Sequence, residues 1–203
     1  MEGNEVIRIN YDPDGSLLVD QAELQNKKYR YYFTDTMNLK KDQIYISKLD
    51  LNVENDVIEN PIKPMIRISM PYFDSKGEQK GMIILNYLAG DLLNQIKKIA
   101  TTSNGNPSLI NADGYWIYDS ENLENNWAFM YEDKMKISFK NRYKAEWKEI
   151  QQKESGQIIN QNGVFIFSKS ITSQTFKQDN IPVQETQPTQ NDGEIWFQVT
   201  GAI

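Results

Sequence analysis

The sequence predicts an α+β fold: two tandem modules, each an antiparallel sheet with flanking helices. Three observations predict it. Short strand-like runs alternate with turn residues along the chain. Apolar residues recur at helical spacing in two places, Leu88-Leu92-Ile96-Ile99 and Phe139-Tyr143-Trp147-Ile150. The order hairpin, helix, antiparallel strands occurs twice, on either side of a small polar segment, Thr101 to Pro107. The expected modules are therefore 1–103 and 104–203. A chain of 203 residues is long enough for both to bury a core.

Glu5 to Ile9 reads as a strand, Asp12-Pro13-Asp14-Gly15 as a turn and Leu17 to Val19 as a second strand. A helix is expected from Asp20, where Asp20 and Glu23 form a capping-box-like pair, through Leu24–Phe33 toward Asn38. Tyr45 to Leu51 and Met65 to Tyr72 read as strands, and Pro61 and Pro64 hold the segment between them out of helix. Gly81 to Leu88 is apolar enough to suit the middle of a sheet, and a helix follows from Ala89 to Ala100. In the second half, hairpins are expected around Ala112-Asp113-Gly114 and Asn162-Gly163, a helix over Ser138 to Gln152, and a last strand over Glu194 to Val199. Phe176 to Asp192 reads as a long polar loop.

Composition excludes several function classes. Hydrophobic residues make up 39% and charged residues 25%, as in ordinary globular proteins. The formal net charge of −6 argues against a nucleic-acid surface, which needs clustered Lys and Arg. The chain has neither Cys nor His, so imidazole-activated nucleophiles and Cys/His zinc sites are excluded. No cofactor motif appears, neither G-x-x-x-x-G-K nor G-x-G-x-x-G after a strand. Asn10, Asp12, Asp14 and Gly15 open like a calcium loop, but Gln21 at the twelfth position cannot supply the bidentate carboxylate, so a plain turn is expected. Acidic pairs such as Asp119 with Glu121 are expected by chance among 28 acids. The reading is of a protein that is not an enzyme and holds no metal or cofactor.

Five segments carry a resemblance: LQNKKYRYYF (Leu24 to Phe33), YISKLDLNVE (Tyr45 to Glu54), IENPIKPMIR (Ile58 to Arg67), PYFDSKGEQKGMIILNY (Pro71 to Tyr87) and LINADGYWIYDS (Leu109 to Ser120). Together they resemble the double Cache domains, the PAS-like extracytoplasmic sensor modules of bacterial histidine kinases, diguanylate cyclases and chemoreceptors. The resemblance implies a periplasmic or cell-surface ligand sensor, membrane-anchored by a helix on each side and dimeric in the full receptor. It also implies a long N-terminal helix, whereas this chain opens directly in a strand. The chain is therefore expected to be an excised piece, with 1–103 membrane-distal and 104–203 membrane-proximal. The alternative is a platform that binds a partner protein and takes no small molecule.

The candidate ligand residues lie in the first module. Arg30, Tyr32 and Phe33 sit where amino-acid-sensing relatives carry Arg, Trp and Tyr. An Arg there would hold a ligand carboxylate in a two-point fork. The other reading makes the rings core and Arg30 a surface or ion-paired residue. Tyr45 and Ser47 share one strand face and would hydrogen-bond a polar ligand, and Asp50 would take an ammonium or fold the chain back locally. Arg67 alternates with apolar residues, so it is either solvated or paired with an acid, Asp50 or a ligand carboxylate. The expected ligand is a small polar solute, carboxylate- or amino-acid-like.

Overall fold

The computed structural model describes residues 1–12, 14–102, 105–171 and 195–202. The chain divides into two units. The first comprises Met1–Ser47, Val53–Ile58 and Ile66–Tyr87, and the second Lys48–Asn52, Glu59–Met65 and Leu88–Ile203. Among the described residues no helix is long and apolar enough to cross a membrane.

The first unit opens with a hairpin of β1 (Ile9–Asp12) and β2 (Gly15–Leu18), in register from Ile9↔Leu18 to Asp12↔Gly15. Gly15 closes its turn at φ +129°, where a side chain would be strained. The expected helix from Asp20 is not there. Asp20 does cap, its carboxylate accepting the Ala22 N–H at 2.8 Å, but only a single 3-10 turn, Gln21–Glu23, follows. Leu24 is extended, and the backbone finds partners outside a helix: Asn26 bridges to Asn4, and the Lys27 N–H donates to the Gly3 carbonyl. The Asn26 side-chain oxygen also accepts the Lys28 N–H, a local bond that competes with helix. The helix α1 covers only Tyr31–Met37 and buries Tyr32 and Thr36, four residues apart on one face.

After α1 come β3 (Tyr45–Ile46), β4 (Asp50–Leu51), and the small hairpin of β5 (Val53–Glu54) and β6 (Val57–Ile58). Then follow two ten-residue strands, β7 (Pro64–Phe73) and β8 (Gln79–Leu88). β7 pairs with β3 through Tyr45↔Ser69 and Ile46↔Ile68, and with β4 through Asp50↔Met65 and Leu51↔Pro64. It alternates as a half-buried strand should: Met65, Arg67, Ser69 and Pro71 are buried, while Ile68, Met70 and Tyr72 are exposed. The Asp74 carboxylate turns β7 into β8 by accepting the N–H groups of Lys76 and Glu78. β8 overturns its sequence reading. It pairs with β7 alone among the described strands, and Ile83, Leu85, Tyr87 and Leu88 are exposed. A run of apolar residues reports which strands could be central, not whether a neighbour is in place.

The second unit carries α2 (Gly90–Thr102), β9 (Asn106–Ile110), β10 (Trp116–Asp119), α3 (Phe139–Arg142), α4 (Lys144–Ile150), β11 (Ser155–Asn160), β12 (Gly163–Ile171) and β13 (Ile195–Ala202). Its five strands are all antiparallel, in the order β10-β9-β13-β12-β11. Phe176 to Asp192 and Glu194 lie outside the described residues. The apolar stripe of the expected Ser138–Gln152 helix is core as read: Phe139, Trp147 and Ile150 pack with Ile110, Trp116, Ile158, Phe165 and Phe167, with Tyr143 against them. The helix itself is broken at Tyr143, whose φ −123° and ψ 60° separate α3 from α4. Ring contacts of Phe139 with Trp116, Tyr143, Trp147 and Phe165, at centroid distances of 5.0–6.2 Å, fix the two short helices on the sheet.

Glu146 on α4 is buried and accepts the side-chain amides of Asn160 and Asn162, both at 2.7 Å, tying the helix to the β11–β12 turn. Burial alone would raise its pKa. The bonds from Asn162, its own backbone and Asn160 outweigh that and hold it below the ordinary carboxylate value. A depressed carboxylate contributes stability that is present above its unfolded pKa and lost as pH falls through the folded one. Glu146→Gln should therefore cost about 1 kcal/mol at neutral pH. In urea unfolding followed at stepped pH, the gap to the wild type should close below pH ~4.5.

Candidate functional site

Three side chains of the first unit converge on one another. Tyr32 is buried on α1, its neighbour across the sheet face is Arg67 on β7, and Arg30 stands one residue before the same helix. The Arg67 guanidinium carbon lies 4.8 Å from the Tyr32 ring centroid, and that of Arg30 lies 5.7 Å from it. Each is within cation–π range. Local sequence sets this up. Arg30 takes extended backbone, φ −78° and ψ 133°, as the N-cap of α1 and makes no side-chain cap bond, so its guanidinium is left to turn toward the ring.

Arg67 is 1% exposed, which removes the solvated alternative for it. Its strand is locked beside it: the Arg67 N–H donates to Ser47 Oγ, and the Ser47 N–H donates to the Arg67 carbonyl, both at 2.8 Å. Ser47 thus spends its hydroxyl as an acceptor for the backbone that presents the arginine. Tyr45 is half-buried on β3, and its hydroxyl donates to the Asp35 carboxylate of α1 at 2.9 Å. Asp50, on β4, is buried and belongs to the second unit. Of the six expected residues, the first unit therefore brings together Arg30, Tyr32, Arg67 and Ser47, and Tyr45 borders them through α1.

Arg30 differs from Arg67 in one respect. It is half-buried, and its Nε is a fully buried donor with no acceptor among the described residues. No ion pair reaches Arg30 there either. Arg8 also has an orphan Nε, but its terminal nitrogens are met by Glu5, Glu54 and the Glu23 carbonyl. An unsatisfied buried guanidinium nitrogen is costly and asks for an oxygen acceptor. Tyr32 feels both charges. Burial raises its pKa most, and Arg67 and then Arg30 pull the other way without cancelling it, so the phenol stays neutral and can donate.

Two residues the sequence reading passed over are bonded beside the cluster. Thr36 Oγ1 donates to the Tyr32 carbonyl at 2.6 Å and shares a 2.5 Å hydroxyl–hydroxyl bond with Ser69 Oγ, with both residues buried. The signal was available: Thr36 is four residues from Tyr32 on the helix, and Ser69 two from Arg67 on the strand. A 560 Å³ depression beside α2 is lined by exposed Asp91, Asn94, Gln95, Lys97, Lys98 and Thr101 and shares no residue with this cluster. Among the described residues no group of three acidic side chains could hold a metal ion.

Thr36→Val and Ser69→Ala should each destabilise the protein by about 1–2 kcal/mol, because each leaves a buried hydroxyl or its partner unsatisfied. The double variant should cost clearly less than the sum of the two, as measured by denaturant unfolding.

A family model described as the bacterial histidine kinase sensor domain matches residues 1–180. Among solved structures, the chain is similar to the extracellular domain of vpHK1S-Z8, described as a histidine kinase, with 18% identity and a TM-score of 0.69 over 98% of this chain and 64% of that one. It is similar to a domain of a sensory box/GGDEF family protein from Vibrio parahaemolyticus, with 18% identity and a TM-score of 0.68 over 98% and 68%. The ligand-binding domain of Mlp24 with asparagine matches with 14% identity and a TM-score of 0.50 over 96% and 67%. The chain thus spans about two thirds of the length of these structures. The first two likenesses establish the fold as the mixed, antiparallel-sheet fold of sensor domains. A comparison with curated proteins found no match.

Proposed function

Since this chain belongs to the bacterial histidine kinase sensor domain family, we propose that its first module binds a small carboxylate, amino-acid-like in size, on Arg30 and Arg67. The chain is an extracytoplasmic sensor domain, as its family and structural neighbours are. In this reading residues 1–103 are the membrane-distal module that takes the solute, and residues 104–203 pass the change toward the membrane.

One observation carries the proposal: the buried, acceptor-less Nε of Arg30 beside a second, deeply buried guanidinium on the same tyrosine. Two converging positive groups with a spare donor match a carboxylate better than an amine or a neutral apolar solute. Tyr32 gives a flat, rigid surface for the rest of the ligand and a phenol that keeps its proton. The asparagine complex of the Mlp24 domain supports an amino acid as the ligand class. Signalling then needs no chemistry. A ligand that binds one arrangement of the module better than another shifts their populations, and differential affinity sets the size of the shift.

Thermal-shift measurements against amino acids, dicarboxylates, amines and purines test this. A carboxylate-bearing compound should raise the melting temperature, by the equivalent of ~2.7 kcal/mol at a hundred times its Kd. Arg30→Gln should weaken it at least roughly tenfold, the loss of one charge-assisted contact. A hit whose affinity is unchanged in both Arg30→Gln and Arg67→Lys contradicts the assignment. So does a screen in which only amines respond. If no solute responds and a periplasmic protein co-purifies, the platform reading stands instead.

A further inference from the structure

The turn that joins β11 to β12 holds one of the chain's two Asn-Gly steps, Asn162-Gly163; the other is Asn104-Gly105. Gly163 takes φ +121°, where a side chain would be strained, so the residue after Asn162 is one without a Cβ. Asn162 is exposed to water, yet its Nδ2 donates at 2.7 Å to Oε1 of the buried Glu146 on α4. Its backbone N–H donates to Asn160 Oδ1 at 2.8 Å, and Asn160 Nδ2 donates to the same Glu146 oxygen at 2.7 Å. Three side chains thus form one clasp, in which two amides fill both lone pairs of one carboxylate oxygen.

An asparagine followed by glycine is open to attack by the chain itself, because no Cβ obstructs the approach of the glycine nitrogen to the side chain before it. The Gly163 nitrogen attacks Asn162 Cγ, and the new C–N bond closes a five-membered succinimide. Nδ2 leaves as ammonia, carrying the proton lost by the Gly163 nitrogen. Water then opens the ring at one of its two carbonyls and leaves aspartate or isoaspartate at position 162. Either product removes a donor and sets a second carboxylate against Glu146, at a separation where like charges repel and a buried acceptor loses its partner. Isoaspartate also lengthens the turn by one main-chain carbon, against the Asn160↔Gly163 register.

We propose that Asn162 is a modification site, deamidated without an enzyme in the folded protein, and that losing its amide unfastens α4 from the β11–β12 turn. α4 brings Trp147 and Ile150 to the aromatic core, so the second unit is loosened at a helix that closes its sheet. Each event adds one negative charge to the formal −6, which separates modified from unmodified molecules by anion exchange. The clasp shares no residue with the Arg30–Arg67 cluster.

The full chain is incubated folded in mildly alkaline buffer, and the peptides spanning Asn104 and Asn162 are followed by mass spectrometry. Asn162 should convert, with aspartate and isoaspartate both recovered, and the molecules modified there should unfold at lower urea than the rest. Conversion confined to Asn104, or at neither step, overturns the proposal. Substitution separates the consequence from the rate. Asn162→Asp should lower the urea midpoint and speed the hydrogen exchange of α4 amides about tenfold. Asn162→Asp combined with Glu146→Gln swaps amide and carboxylate between the two positions and restores a donor–acceptor pair. It should recover most of the loss, even where the single variant scarcely folds. If Asn162→Asp unfolds at the wild-type midpoint, or the swapped pair is no more stable than Asn162→Asp alone, the amide does not fasten α4 and the proposal fails.

Discussion

The first unit is organised around a guanidinium that cannot reach water. Arg67 sits in the middle of a ten-residue strand at 1% exposure, and taking such a charge out of water costs several kcal/mol. What surrounds it follows from that constraint. Tyr32 turns its ring to the cation, and α1 must be placed to deliver that ring. Ser47 locks the strand through both backbone groups of Arg67, so the side chain has one direction to point. Thr36 and Ser69 bond each other beneath it instead of competing for it. A polar network of this kind is stable only when its members are satisfied. Beside this network, Arg30 Nε is a buried donor with no acceptor among the described residues.

The second unit is built around a five-stranded antiparallel sheet. Its sheet is closed on one face by aromatic rings on α3 and α4, and its buried Glu146 is spent on fastening a turn. Its aromatic core sits beside buried polar residues such as Asn111, Asp119 and Ser138, whereas the first unit buries Thr36, Ser47, Arg67 and Ser69 around one aromatic ring, Tyr32.

How much of this could be read in the sequence depends on what each signal measures. The stripe Phe139-Tyr143-Trp147-Ile150 gave the second core correctly, yet the helix breaks at Tyr143, because spacing reports a face and not the backbone angle of each residue. The helix expected from Asp20 begins only at Tyr31. Asn26 offers the backbone a local alternative, and residues 2 to 4 supply long-range partners that no local window contains. Arg67 was legible as a choice between water and a buried partner, and only its burial decides between them. Thr36 and Ser69 were within reach of simple periodicity from Tyr32 and Arg67. Gly81 to Leu88 misled in the other direction, since its apolar character describes the neighbours it is made for and not those it has.

The central claim is that Arg30 and Arg67 grip a carboxylate together. The chain has four arginines, so a ¹H–¹⁵N spectrum of the arginine Nε–H groups contains four assignable signals. On adding a carboxylate ligand that raises the melting temperature, the Arg30 and Arg67 signals should shift and slow their exchange with water, while those of Arg8 and Arg142 stay in place. A ligand that binds and leaves the Arg30 signal unmoved would contradict the account.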